Sequence, residues 1–188
     1  MATAIGIIGL GKITEDQHVP VIAKNPAFRL AAVASQRGLR VEGAPTFRSP
    51  AEMYAAVPEL SAVAVCTPPQ VRHAIAREAL AAGKDVLLEK PPAMTVSELV
   101  DLAAYAAAEG RVLFTTWHSQ YNAAVLHARR LLAGETVARL LVTWKEDVRR
   151  WHPGQKWIWT AGGFGGFDPG INALSIVTEI MPQPVFVA

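Results

Sequence analysis

The chain has little charge and a single cysteine. Of its 188 residues only 18% are charged, and the formal net charge is +2. So even a balance excludes the polybasic face of a nucleic-acid binder and excludes an acidic tail. Cys66 alone cannot form an intramolecular disulfide, which fits a reducing cytoplasm. No apolar run reaches the ~18 residues of a membrane span. The start, Met1-Ala2-Thr3-Ala4-Ile5-Gly6, lacks the basic region of a signal peptide. No Cys/His spacing suits a metal, and neither an internal repeat nor a low-complexity linker is present. We therefore expect no metal, no nucleic acid and no membrane partner. What is abundant is apolar, at 51%, much of it alanine. That excludes disorder. The length suffices for one domain with a real core and falls short of two complete ones, at roughly 100–200 residues each.

Short apolar runs alternate with helical patterns over residues 1–118. The runs are Ile5–Ile8, Arg29–Ala34, Ala62–Cys66, Asp85–Leu88 and Val112–Phe114. Continuous rather than alternating apolar strands suit a parallel sheet covered on both faces. Ser49-Pro50-Ala51-Glu52 and Thr95-Val96-Ser97-Glu98 read as helix starts, with a capping hydroxyl and a reciprocal glutamate. Gly83 and Gly110 stand where helices should end. This predicts a doubly wound α/β domain over 1–118. In residues 119–188 the spacing predicts a helix near 121–132 and a strand over 137–144. An aromatic, basic loop follows over 145–159, then a helix near 169–180 and an opening strand at Val185-Phe186-Val187-Ala188. All five tryptophans lie between 117 and 159. So uneven a placement suits either a binding face or a partly built core.

Gly9-Leu10-Gly11-Lys12-Ile13-Thr14 follows the first strand and opens a helix. Gly9 permits the tight turn, and Gly11 lets backbone approach a pyrophosphate. The helix N-terminus then offers unpaired N–H groups to the anion. Thr14 stands where the usual fingerprint has a third glycine. After the second strand an NAD enzyme needs a carboxylate for the ribose hydroxyl, but the chain reads Ser35-Gln36-Arg37. A hydroxyl and a guanidinium suit a 2′-phosphate better, so NADP is expected ahead of NAD.

Glu89-Lys90-Pro91-Pro92 follows the strand at 85–88, and Thr67-Pro68-Pro69-Gln70 follows the strand at 62–66, with His73 one helical turn on. Ligands of open α/β sheets bind beyond these strand ends. A lysine there can reach a substrate beside the nicotinamide and exchange a proton with it. His18 and His127 receive no role, and Cys66 reads as a small buried apolar residue.

With these blocks the chain resembles the glucose–fructose oxidoreductase/inositol dehydrogenase family. The resemblance rests on Gly9 through Ile13, on Thr67-Pro68-Pro69 through His73, and above all on Glu89-Lys90-Pro91. A second block runs from Trp144 through Glu146, Trp151, His152 and Gln155 to Trp157-Ile158-Trp159. It then continues from Gly162 to Asp168-Pro169-Gly170-Ile171-Asn172. This block looks like the bacterial aldose 1-dehydrogenases of that family. The resemblance implies a Rossmann doubly wound parallel sheet. It further implies the beginning of an α+β substrate domain with an open antiparallel sheet over 119–188. The implied reaction is oxidation of L-arabinose, D-galactose or a close relative at C1, giving the lactone, with hydride transfer to NADP or NAD.

Lys90, Asp168 and Asn172 are the implied catalytic residues. Asn172 stands where many members carry a histidine, and an amide cannot titrate. Asp168 and Asn172 are four apart and share a face if their helix begins by Asp168. Either Asp168 or neutral Lys90 serves as base; the sequence leaves both open. His118, Glu146, Trp151, His152 and Trp159 are the candidate sugar contacts. Gly9, Gly11, Lys12, Ile13, Ser35, Gln36, Arg37, Thr67, Pro68, Gln70, His73, Glu89 and Lys90 are the candidate cofactor contacts.

Two other readings stand beside this one. One is a family enzyme that oxidises another ring carbon or shuttles hydride between two sugars. The other is a non-catalytic dinucleotide-binding fragment. The family's chains are longer, and their second domain commonly builds an oligomer interface. The resemblance therefore implies that 188 residues are a truncated piece of a cytoplasmic homo-oligomer, with Val185-Phe186-Val187 an exposed edge.

Overall fold

Six short strands, the central ones almost wholly apolar, pair side by side in parallel. The structure is a computed structural model and describes residues 2–185. The strands are β1 (Thr3–Ile8), β2 (Phe28–Ala34), β3 (Thr46–Phe47), β4 (Ala62–Val65), β5 (Asp85–Leu88) and β6 (Leu113–Thr115). Their order in the sheet is β3-β2-β1-β4-β5-β6, which is that of a doubly wound dinucleotide-binding domain. Successive residues of β1 point to opposite faces. Ala4 and Ile8 join a core with Met53, Leu80 and Leu102, while Ile5 and Ile7 join another with Ile22 and Val33. Both faces are thus dry, as a parallel sheet requires. The two-residue β3 is too short to leave a pattern in the sequence.

The helices of this unit are α1 (Val19–Lys24), α2 (Pro50–Ala56), α3 (Pro69–Ala81) and α4 (Val96–Ala108). Ser49 accepts the Glu52 amide to start α2, and Thr95 with Glu98 forms a full capping box on α4. Ahead of α1 the helix widens to a π-turn over Thr14–His18, closed by a bond from the Val19 amide to the Thr14 carbonyl. The strand ends of β1, β4 and β5 open on one side of the sheet. The crevice lies between β1 and β4, where the order of connection reverses.

The chain divides into two compact units after Thr116. Among the described residues the second unit is helical. It holds a 3-10 turn at His118–Tyr121, α5 (Ala123–Leu132), α6 (Val148–Trp151), a 3-10 turn at Lys156–Trp159 and α7 (Phe167–Ile180). Val125, Ile158, Ala173 and Val177 are buried in it. Arg129 of α5 bonds Glu179 of α7 at 2.8 Å.

Contrary to the expectation of a strand, residues 137–144 form none, and Leu140, Leu141 and Val142 are exposed. A strand exists only as a member of a ladder, and the described residues of this unit offer it no partner. Of the expected opening strand at Val185-Phe186-Val187-Ala188, Val185 lies in no strand and the other three residues lie outside the described residues. No helix among the described residues is long and apolar enough to cross a membrane.

Candidate active site

β1 ends at Ile8 and the backbone turns at Gly9, whose φ is +93°. A Cβ there would lie 2.9 Å from the Thr67 methyl and 3.0 Å from the Thr67 amide nitrogen, so only glycine fits. At Gly11 nothing lies within 4 Å of the place a Cβ would occupy, which leaves space for a ligand to approach the backbone. Thr14 is wholly buried, and its hydroxyl donates to the Gly9 carbonyl at 3.0 Å. The departure from the third glycine therefore ties the helix to the turn. Lys12 pairs with Asp16, and Ile13 is partly exposed.

At the end of β2, Ser35 is buried and accepts the Leu39 amide at 3.2 Å, while Gln36 is exposed. Arg37 donates to the Leu10 carbonyl at 2.6 Å. Arg48, just after β3, donates to the Gln36 carbonyl at 2.9 Å. Two guanidiniums therefore flank this corner, and no carboxylate directly follows β2. Arg48 carries no signal in the sequence, because a two-residue strand leaves none.

Beyond β4 and β5 the polar groups are buried and interlocked. Arg72 is only 3% exposed. Its guanidinium donates to the carbonyls of Thr67, Glu89 and Pro91, which joins the two loops. The Lys90–Pro91 peptide is cis. Glu89 bonds His18 Nε2 through Oε1 at 2.7 Å, and its Oε2 accepts the Lys90 amide at 3.1 Å. Burial opposes the charge of His18. Hydrogen bonds and charges from Cys66 and Glu89 outweigh that, and its pKa is pushed up to about 10. Burial likewise opposes the Glu89 charge, yet the His18 bond and charge hold its carboxyl below the ordinary value. Lys90 itself is half-buried, and Gln70 and Pro68 lie at the start of α3, both exposed.

His73 does not join this group. It bonds Asp101 of α4 at 2.8 Å, beside Arg77, and its hydrogen bond holds the Asp101 carboxyl below the usual range. The buried stripe of α3 is Pro69, Arg72, Ala76 and Ala79–Leu80, at helical spacing. That stripe is legible in the sequence, and it puts Arg72, not His73, toward the loops.

In the second unit α7 begins at Phe167, one residue before Asp168. Asp168 and Asn172 are both buried on it, at 2% and 7% exposure. His152 Nε2 lies 3.0 Å from Asp168 Oδ2. The other ring nitrogen of His152 faces Gln155 Oε1 at 3.3 Å, and Trp157 meets the ring edge-on at 5.8 Å. The loop that carries this histidine is held at Gly163: a Cβ there would lie 1.9 Å from the Trp157 carbonyl oxygen, so backbone packs on backbone.

A cavity of about 380 Å³ beside it is lined by Arg149, His152, Gln155, Lys156 and Trp159, among others. Trp151 and Trp159 expose 48% and 68% of their surface. Glu146 is exposed and accepts the Trp144 indole N–H at 2.5 Å, and His118 stands beside Ser119 at 3.4 Å. The fold thus places His152 against Asp168, on the buried helix that also bears Asn172, while Glu146 bonds Trp144. Among the described residues no group of His, Cys, Asp and Glu could hold a metal.

Residues 3–117 match a family described as an oxidoreductase family with the NAD-binding Rossmann fold. A galactose 1-dehydrogenase from Pseudomonas fluorescens is 48% identical over 183 residues, 97% of this chain and 59% of the relative. The crystal structure of D-galactose-1-dehydrogenase from Rhizobium etli is 54% identical with a TM-score of 0.92. That match covers 98% of this chain and 60% of the other. GenD2 from gentamicin A biosynthesis, solved in complex with NAD, is 26% identical with a TM-score of 0.64, over 71% of this chain and 39% of its own. The chain spans about three fifths of the length of the two galactose 1-dehydrogenases.

Proposed function

The chain belongs to the oxidoreductase family with the NAD-binding Rossmann fold, and on that premise we propose that its protein oxidises an aldopyranose at C1 to the lactone. D-galactose is the first substrate to test, with L-arabinose, which shares its hydroxyl arrangement, beside it. The observation that carries the reading is the bond between His152 and buried Asp168 on the helix that also bears Asn172. Asn172 cannot move a proton, and His152 supplies the imidazole that position 172 lacks.

Removing hydride from C1 requires that the O1 proton leave in the same step. Asp168 takes that proton, and His152 passes it on toward solvent. Asn172 donates to O1 or the ring oxygen and fixes which carbon reacts. Lys90, just beyond the end of β5, is the proposed catalytic residue of the N-terminal unit. Trp159 and Trp151 offer apolar walls to the C–H face of the sugar. The dinucleotide, when bound, supplies the hydride acceptor. Gly9, Gly11 and the helix start at Lys12 suit its pyrophosphate.

NADP is the proposed cofactor. Its support is the corner formed by Ser35, Arg37 and Arg48, without a carboxylate to hold a free ribose hydroxyl. NAD is the second reading, favoured because Arg37 already engages the Leu10 carbonyl. The full-length protein is proposed to be a cytoplasmic homo-oligomer.

A sugar panel assayed with each cofactor at the reduced-nicotinamide band tests the reading. D-galactose or L-arabinose with NADP should give the highest kcat/KM, and Arg37→Ala should erase most of the NADP preference. No turnover with any aldose would overturn the activity. An unchanged preference in the variant would overturn the guanidinium assignment.

A further inference from the structure

His18 has no part in the proposed proton transfer, yet it is one half of a buried ion pair beneath the cofactor turn. Its side chain is 13% exposed and that of Glu89 is 9%. His18 closes the π-turn that follows the glycines, and this widened turn directs its ring toward the end of β5. Glu89 receives it on one oxygen and holds the Lys90 amide on the other. Arg72 fixes the carbonyls of Glu89 and Pro91, on either side of Lys90. Thr14, at the start of the same π-turn, is bonded back to Gly9. An unbroken chain of contacts therefore runs from the glycine turn through Thr14, the π-turn, His18 and Glu89 to the backbone of Lys90. Without His18, the buried Glu89 carboxylate would lose the hydrogen bond and charge that stabilise it most, keeping the weaker Thr116 bond and Arg72 charge. It would then protonate or turn away, which releases Lys90.

We propose that His18 is a positioning residue: through Glu89 it ties the backbone of Lys90 to the phosphate-binding helix, so that a dinucleotide seated at the glycine turn and Lys90 share one frame. The role of Lys90 in this statement rests on the function proposed above.

The test uses the full-length protein and the variants His18→Gln and Glu89→Gln, each first shown to be folded by circular dichroism. Three quantities are read: kcat with the best sugar, the dissociation constant for NADP from tryptophan quenching, and the signal of ¹³C-methylated Lys90. That signal is identified by its absence in Lys90→Arg. Both variants should lose at least ~10-fold in kcat, since small misplacements of a reacting group cost that much or more. Their NADP affinity should stay within about 3-fold of the parent, the mark of lost alignment rather than lost binding. The Lys90 signal should move on adding NADP in the parent and stay still in both variants. A parent-like kcat and a parent-like Lys90 response in either folded variant would overturn the proposal. So would a loss of NADP affinity matching the loss of turnover. Absence of sugar turnover in the parent would instead count against the proposed function, and the Lys90 signal would still decide the role of His18.

Discussion

The two units hold their polar side chains by different means. In the N-terminal unit, Thr14, Arg72 and Glu89 are buried beside a sheet that is dry on both faces. Each is bonded to main-chain groups. Their positions follow from strand ends, so the hydrophobic core sets them. In the C-terminal unit, Asp168 and Asn172 sit on α7, but His152, the partner of Asp168, comes from a loop of short turns. That loop keeps its shape because Gly163 lies against the backbone of Trp157 and Ile158. The N-terminal unit thus holds its polar groups by burial. In the C-terminal unit the loop that carries His152 depends on a close backbone contact at Gly163. Polar networks fixed by a sheet and polar networks fixed by a loop should fail in different ways when a single residue is changed.

The largest expected effect is on chemistry. Asp168→Asn keeps the shape of the side chain and removes the proposed base. In the full-length protein kcat should fall by roughly 10²–10⁴ while NADP affinity stays within a few-fold; steady-state kinetics and quenching titration check both. Lys90→Ala should likewise abolish turnover and spare NADPH binding. Parent-like turnover in either variant would remove that residue from the mechanism.

Next is Gly163→Ala, where the added methyl would collide with the Trp157 carbonyl. We expect a loss of about 1–3 kcal/mol or more, confined to the C-terminal unit. Hydrogen exchange should show faster opening of α7 with residues of β1 and β4 unchanged. Equal loosening of both units would break the contrast between them.

The third effect separates the units by pH. The folded-state pKa of His18 is raised from 6.5 to about 10, so its contribution to stability is full below pH 6.5. It is lost as pH rises toward about 10. Glu89 is lowered from 4.5, so its contribution is present above that value and is lost as pH falls through its folded pKa. The N-terminal unit should therefore melt lower at pH 10 than at pH 6, by an amount that His18→Gln flattens. The smallest effect is that of Thr14→Val, which removes the bond to the Gly9 carbonyl and should cost about 1 kcal/mol. Urea unfolding followed by circular dichroism is sensitive enough to read it.

Much of the N-terminal unit is legible in the sequence because its signals are local. Apolar runs mark strands, and Ser49-Pro50 and Thr95 through Glu98 mark helix starts that form as written. Gly9 marks a turn whose geometry demands it, and Gly11 marks open space beside that turn. What stays hidden there is long-range. His18 and Glu89 are far apart in the chain, and no periodicity links them. Arg72 is hidden for another reason: a charged residue on a helix reads as solvated, although the buried stripe of α3 passes through it. In the second unit the helices at Ala123–Leu132 and Phe167–Ile180 follow from their apolar spacing. The pairing of His152 with Asp168 does not, because a loop rather than a period joins them. The strand expected over 137–144 fails for a physical reason of the same kind: its alternation is local, but a ladder needs a partner.

Whether this fold serves hydride removal from C1 of an aldose is tested most directly by an isotope effect. The full-length protein is assayed with NADP and D-galactose carrying deuterium at C1, then with deuterium at C3 alone. A primary isotope effect on kcat/KM from C1 and none from C3 is the expected result. An effect from C3 with none from C1 would contradict it, and so would NADPH formation indifferent to both labels.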